Sequence, residues 1–536
     1  MTEFILVLFI LPNFFFFLMN FSRIPFLRLV VCLSVGILLQ TVCSSFDWRV
    51  VSFLLMLLFL CLSCYEKKAG KIPYFHGAFL LSATILLGMV AVDRDKKPVI
   101  DDAKLSSTLL VEVNSVPIEK PKSVQVVARV ADDVPCVNQQ VLFYVAKDSS
   151  SLHLREGDYL LVNTKYLRKR NDDEINEKYL KSKDIQMSCY LPKTGWQRCG
   201  KSRRFSLVRL AHEVQKNLVN VFRTYGVEGD ELSVMSALTI GDKTLLDRDL
   251  KASYSVAGAS HILAVSGLHV GVVYWVFVTL LSQIIRGERL RKVRSVLALL
   301  ALWSYTFITG LSPSVVRASI MLSMVSFAQL VDRKSVTLNT VFASAFMMLL
   351  FRPAYLFDVG FQLSYTAVLS ILLFQEKIYL VIMCKNNFID KLWSLLSVTL
   401  AAQLGTMPLT LYYFHQFSNY FWLSGFVVIP LSSVIIYLSI GLWMMQWWTW
   451  LGGWMTEALK LVTWMMNSFV RWVETCGDAV TEGIEFKGAD LLFAYLLIGG
   501  VYLFCEKSTF RRYVMVLSVL FVYLLFRSIN QIFFVT

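Results

Sequence analysis

Apolar runs long enough to cross a bilayer recur from one end of this chain to the other, which limits it to few folds. The hydrocarbon core is about 30 Å thick, roughly twenty residues of helix. Backbone crossing it must satisfy its own hydrogen bonds, so these runs are expected to be helices. Candidate spans fall near 4–21, 26–43, 50–64, 75–92, 258–285, 295–309, 314–331, 336–350, 354–374, 392–411, 421–446, 455–473, 489–505 and 513–526. Several are short, so broken or re-entrant segments are expected among them. A composition of 56% hydrophobic and 17% charged residues excludes a soluble globular domain. The expected fold is a polytopic α-helical membrane protein of about 11–14 membrane segments. Glu3 precedes the first run where a signal peptide carries basic residues, and no small-residue cleavage site follows, so no cleavable signal is expected.

The net charge of +14 is unevenly spread. Basic clusters fall at Arg23 and Arg28, at Lys67, Lys68 and Lys71, in "RGERLRKVR" (286–294), at Arg333 and Lys334, across 377–391 and across 507–512. Loop 474–490 is mainly acidic, with Glu474, Asp478, Glu482, Glu485 and Asp490. Placing the basic loops in the cytoplasm gives one consistent trace. It leaves the N-terminus outside and the one large polar segment, 93–230, mainly extracytoplasmic. The alternative is that some clusters only meet lipid headgroups. Half of the ten cysteines lie in the apolar spans, where a small buried hydrophobe is the expected role. Cys136, Cys189 and Cys199 lie in the outside segment, where two of them can form a disulfide of undetermined pairing.

Between 105 and 192 the pattern changes to short alternating strands: "TLLVEVNSVP", "SVQVVARVADD", "QQVLFYVAKD", "DYLLVNTKYL" and "DIQMSCYLP". Five strands with turn signals between them predict a small β-barrel of the OB type over 93–202. Such barrels hold single-stranded nucleic acid with basic and aromatic side chains. Lys165, Tyr166, Arg168, Lys169 and Arg170 supply that mixture, and Asp172, Asp173, Glu174 and Glu177 dilute it. A solvated loop beside a structural barrel is the competing reading. Residues 203–225 carry Phe205, Val208, Ala211, Val214, Leu218, Val221 and Phe222 at helical spacing, which predicts an amphipathic interfacial helix within 203–230.

Ionisable groups inside a bilayer usually face a cavity or a partner, because each costs about 2.5–3.5 kcal/mol at mid-membrane. Here they concentrate between 236 and 420. "SALTIGDKTLLD" holds Asp242, "SHILAVSGLHVG" holds His261, Ser266 and His269, and "GLSPSVVRASIM" holds Arg317. "FDVGFQLSYTAVLS" holds Asp358, Gln362 and Tyr365, and "LAAQLGTMPLTLYYFHQFS" holds Gln403 and His415. Asp358, Gln362 and Tyr365 stand at i, i+4 and i+7 and are expected on one helix face, as are Gln403, Thr406 and Thr410. Pro313 and Pro408 are candidate helix breaks, tolerated only beside protein or a wet cavity. Gly267 and Gly271 have the small-xxx-small spacing of close helix contacts. A polar stripe from several helices suggests an aqueous path or substrate site. The bland alternative is that each polar group, Arg317 with Asp358 above all, only neutralises a neighbour.

Several chemistries fail on spacing. "TIGDKT" has Asp242 where a phosphate-binding loop needs Gly, so no nucleotide motor is expected. No H-E-x-x-H and no Cys/His cluster of zinc spacing occurs, so neither metal nor other cofactor is expected. Ser266 and His269 invite an intramembrane serine hydrolase, but no third orienting group is identified and G-x-S-x-G is absent. No catalytic residue is therefore assigned. A secondary transporter of a small solute is the remaining alternative, though no internal repeat supports it.

In their order, "ALTIGDKTLL…YSVAGASHILAVSGLHVG", "TGLSPSVVRASIM", "DVGFQLSYTAVLSI" and "AAQLGTMPLTLYYFHQFS…VVIPLS" resemble the ComEC competence proteins, bacterial inner-membrane channels for DNA uptake. The resemblance is strong over 231–435 and weaker over 105–200. It implies a channel core at 231–450, between transmembrane helices expected from the apolar runs at 1–92, which fit the family only in general layout, and at 451–536. It also implies translocation of one DNA strand to the cytoplasm, with Asp242, His261, Ser266, His269, Arg317, Asp358, Gln362, Tyr365, Gln403 and His415 lining or shaping the path. The partners it implies are single-stranded DNA derived from external double-stranded DNA and a ComEA-type DNA receptor outside. A cytoplasmic ATPase, or single-strand-binding and recombination-loading proteins, would act inside. Many relatives end in a metallo-β-lactamase-like nuclease domain. No histidine follows His415 here, so this chain is expected to lack that domain and to depend on a separate nuclease.

Overall fold

The computed structural model describes residues 24–42, 48–68, 75–95, 108–131, 139–166, 180, 185–202, 206–287, 290–330, 337–382 and 385–534. They form two compact units, Asp93–Asn217 and the remainder, Met1–Val92 with Leu218–Thr536. Each candidate span except 4–21, which lies outside the described residues, holds a helix.

Helices α1 (Pro25–Val42), α2 (Trp48–Lys68) and α3 (Phe75–Asp95) come first. Glycines let α1 and α3 cross backbone to backbone: a Cβ on Gly36 would overlap the Ile85 carbonyl, and one on Gly88 would fall 2.5 Å from the Leu33 carbonyl.

The smaller unit is a sheet of β1 (Thr108–Val113), β2 (Ile118–Glu119), β3 (Ser123–Val130), β4 (Gln140–Ala146), β5 (Asp158–Asn163), β6 (Ile185–Leu191) and β7 (Trp196–Lys201). Its order is β6-β4-β3-β1-β5-β7, with β2 on β3. Pairing is antiparallel except between β4 and β6. Alternation along β3 turns Val124, Val126, Ala128 and Val130 inward against Val111, Phe143, Val145, Leu160 and Val162. The five expected strands are present, but a closed OB barrel is not. Among the described residues β6 and β7 are unjoined edges. The turn closed by Gly195 N–H on the Pro192 carbonyl returns the chain along β5. β7 thereby covers an edge that barrel closure would use. Cys199 is a free, exposed thiol, and Cys136 lies outside the described residues.

Helix α4 (Leu207–Thr224) straddles the division between the units, which divides the expected 203–230 segment. Its buried face is Ala211, Gln215, Val219 and Phe222, one position round from the expected stripe, and Val208 is exposed. Within the sheet unit Arg209 donates to Glu112 (3.3 Å) and to the Ser202 carbonyl (3.2 Å), and His212 meets Glu156 at 2.6 Å. Gly157, at φ +87°, makes room for Arg209: any Cβ there would overlap the guanidinium.

The helical body continues with α5 (Gly229–Thr239), α6 (Arg248–Val256), α7 (Gly267–Ile284), α8 (Arg291–Ile308), α9 (Pro313–Leu330) and α10 (Thr337–Phe351). A 3-10 turn (Pro353–Phe357) leads to α11 (Val359–Tyr379) and α12 (Asn387–Phe414). Strand β8 (Gln416–Ser418), α13 (Phe421–Met445), α14 (Thr449–Thr475), β9 (Val480–Glu482), α15 (Gly488–Glu506) and α16 (Phe510–Phe534) follow. Helices α1, α3, α7, α12, α13 and α15 are long and apolar enough to cross a membrane, with shorter apolar stretches in α2, α9 and α10. The unit is a polytopic membrane body. α14, an expected span, exposes Trp450, Trp454, Leu461 and Trp472 and also carries Glu457, Lys460, Arg471 and Glu474.

Two local expectations change. The run 258–285 is not one helix, because residues 257–266 are turns and α7 begins at Gly267. Neither Pro313 nor Pro408 breaks a helix. Pro313 opens α9, where its fixed φ is favourable, and α12 continues through Pro408.

Candidate functional site

Short connections make successive helices antiparallel, so the starts of α7, α9, α11 and α13 share one end of the body with the ends of α8, α10 and α12. Cross-links fix that end. Tyr305 donates to the Thr239 carbonyl (3.1 Å), Gln416 to Ser255 (3.3 Å), and β8 pairs with β9. The opposite end carries Arg286, Arg291, Lys292, Arg294, Lys385, Lys507, Arg511 and Arg512. The polar motifs therefore gather toward one end, and these basic residues, among those described, lie at the other.

The turn-rich loop 257–266 is held by tertiary contacts. Gly258 takes φ +72°, and a Cβ there would fall 2.8 Å from Ser418 Oγ, which donates to the Val256 carbonyl at 2.8 Å. His261 is exposed and Ser266 half-buried. Ser266 N–H donates to His269 Nδ1 at 3.3 Å, so His269 caps α7 from inside. With Nδ1 accepting, the ring proton belongs on Nε2, which is buried and has no partner among the described residues. His269 is 0% exposed and packed inside this end of the body. Gly267 packs near Ala318, but a Cβ on Gly271 would meet nothing within 4 Å, so only the first glycine serves a helix contact.

Asp242 folds its own loop. Its carboxylate accepts from Thr244 N (2.9 Å) and Thr244 Oγ1 (2.6 Å), as in an Asx turn. Gly241, at φ +82°, brings that loop against the Thr309 carbonyl.

Helix α11 is the hub. Asp358 is not within it but is its N-cap, accepting from Phe361 N at 2.7 Å. Asp358 Oδ1 lies 3.7 Å from Arg317 Nη1 on α9. Gln362 donates to the Leu356 carbonyl (2.9 Å) and accepts from Tyr413 OH on α12 (2.9 Å). Tyr365 shares a hydrogen bond with Ser344 on α10 (3.0 Å) and is 6% exposed. The expected single face thus reaches three different helices. Tyr365 is a packed brace, not an open wall.

Gln403 is half-buried on α12, while Thr406 and Thr410 bond back to their own helix. His415 caps α12 at φ +54°, is exposed, and meets the Ile484 carbonyl through Nδ1 at 3.3 Å. In the other unit Lys165 and Tyr166 form a short 3-10 turn after β5, and Arg168, Lys169 and Arg170 lie outside the described residues. Sequence reasoning passed over Tyr413, Ser344 and Gly360, whose roles depend on partners far along the chain.

The sequence model of the competence protein family matches residues 238–508, half of the chain. The chain belongs to the competence protein family. Among competence relatives, ComE operon protein 3 of Bacillus subtilis (strain 168) is 33% identical over 225 residues, covering 42% of this chain and 27% of the relative. An uncharacterized protein of Aquifex aeolicus (strain VF5) is 31% identical over 168 residues, covering 31% of this chain and 37% of the relative. The match thus spans well under half the length of either relative. No solved structure matches.

Proposed function

We propose that this chain is the conduit through which single-stranded DNA crosses the bacterial cytoplasmic membrane during natural transformation. The observation that carries the reading is convergence: motifs spread over 238–418 meet at one end of a membrane body, around a buried arginine. Competence is the capacity to take up DNA, and family membership supplies that context. With the basic loops in the cytoplasm, the motif end faces outward and receives the strand. Arg317 offsets phosphate charge there, and the surrounding neutral donors hold the strand weakly enough for it to move.

The chain acts as a channel and performs no bond-breaking step. A separate nuclease supplies the single strand, an outside receptor delivers the duplex, and capture or a motor inside gives direction. The channel reading is preferred to the hydrolase alternative because His269 Nδ1 accepts the Ser266 backbone N–H and not the hydroxyl.

The test is a deletion strain complemented with the wild-type gene, with labelled double-stranded DNA followed into periplasmic and cytoplasmic fractions. The label should reach the outer face in both strains and the cytoplasm only with the gene. Cytoplasmic label unchanged by deletion would rule the conduit out.

A further inference from the structure

Arg317 is 5% exposed, yet its five N–H groups make no hydrogen bond among the described residues, and Nε is fully buried without a partner. A guanidinium taken out of water normally keeps its donors satisfied, because unpaired buried donors are costly. Asp358 supplies charge at 3.7 Å but lies beyond hydrogen-bond reach. The same Asp358 oxygen caps α11, whose first N–H groups, on Val359 and Gly360, donate to no partner among the described residues. Gly360 completes the recess. A Cβ there would crowd both Arg317 Nη2 (3.3 Å) and Asp358 Oδ1 (3.2 Å), so bare backbone faces the guanidinium.

The exposures are unequal. The Asp358 side chain is 35% exposed and that of Arg317 6%, so an arriving anion meets the carboxylate before the guanidinium behind it. A planar donor fork beside a helix N-terminus suits a tetrahedral oxyanion better than one loosely placed carboxylate.

We propose that Arg317 and the N-terminus of α11 form a one-phosphate subsite, and that Asp358 is its displaceable internal occupant. A strand phosphodiester takes the place of Asp358 on Arg317, and the carboxylate returns when that phosphate moves on. Each phosphate is therefore bound and then expelled by an intramolecular competitor, which keeps a strongly attractive arginine from trapping the strand. This rests on the conduit reading and adds a release step to it.

The test uses the full chain in a phosphate-free detergent and a fluorescent single-stranded oligonucleotide, titrated across salt. Wild type, D358N, R317Q and the double variant are compared, each checked for normal membrane levels and thermal unfolding. D358N should bind several-fold tighter than wild type. R317Q should bind more weakly, with its salt slope reduced by about 0.7. In the R317Q background, D358N should have no further effect, because the competition has lost its object. Opposite signs for the two single variants are the signature, since a merely structural ion pair would weaken binding in both. Equal or weaker binding by well-folded D358N overturns the displacement proposal while leaving the conduit intact. Absence of any salt-dependent binding by wild type overturns both. If phospholipid, and not oligonucleotide, distinguishes R317Q from wild type, the subsite holds a lipid headgroup and the strand assignment is wrong.

Discussion

Tyr413 and Gln362, 51 residues apart in sequence, are joined by a hydrogen bond of 2.9 Å that ties the end of α12 to the first turn of α11. Gln362 is also spent at its other end on the Leu356 carbonyl, so one side chain locks three elements beside the Arg317–Asp358 pair. Tyr413→Phe removes the donor and keeps the ring. It should lower stability by about 0.5–1.5 kcal/mol, seen as earlier thermal unfolding in detergent. Gln362→Ala, which frees both partners, should be worse. Unchanged unfolding in both variants would mean that this lock is not formed.

The glycines separate two kinds of requirement. Gly258→Ala places a Cβ at positive φ against Ser418 and should detach loop 257–266 from β8, lowering membrane levels of the protein and DNA uptake. Gly271→Ala meets open space within a helix and should be neutral, or stabilising by up to about 1 kcal/mol. Immunoblotting of membranes and transformation counts check both. Equal loss at the two sites would restore the small-xxx-small reading of the helix contact.

Much of the helical layout was legible because long apolar runs have few other solutions. The loop before α7 was not: "YSVAGASHILAVSG" is as apolar and small as a span, and only Ser418, far along the chain, forces Gly258 into its turn. Asp358 was read as one position of a helical stripe, although an aspartate three residues before the N–H it accepts is also an N-cap signal. The barrel misread has a similar origin. Strand period is local, whereas closure depends on which strand takes the outer edge of β5, and β7 took it. The exposed His261 and the buried His269 lie eight residues apart with the same chemistry, and nothing local distinguishes them.

His269 is a cap more than a wall. His269→Ala leaves the Ser266 N–H without its acceptor and opens space in a packed region, so unfolding should ease by about 1–3 kcal/mol. His261→Ala, at an exposed position, should leave unfolding unchanged. Thermal unfolding of the two variants side by side decides. Loss confined to His261 would reverse the assignment.

In the sheet unit, Glu112 is buried between Arg129 (3.2 Å) and Arg209 (3.3 Å). Glu112→Gln should weaken the seat of α4 by about 1–2 kcal/mol, a figure kept low because both arginines are partly exposed. Hydrogen exchange on the full chain should quicken in β1 and the first turns of α4. Protection left as in wild type would show that the pair contributes little.

The most direct test of the conduit is to catch the strand inside it. A photoreactive amino acid is placed singly at His261, on the loop where the polar motifs meet, and at Trp454, exposed on the outer face of α14. Cells taking up labelled DNA are then illuminated. The label should become attached at His261 and stay absent at Trp454, with single-stranded DNA as the captured species. Attachment at neither site, or equally at both, while uptake proceeds normally would contradict passage of the strand through this end of the body.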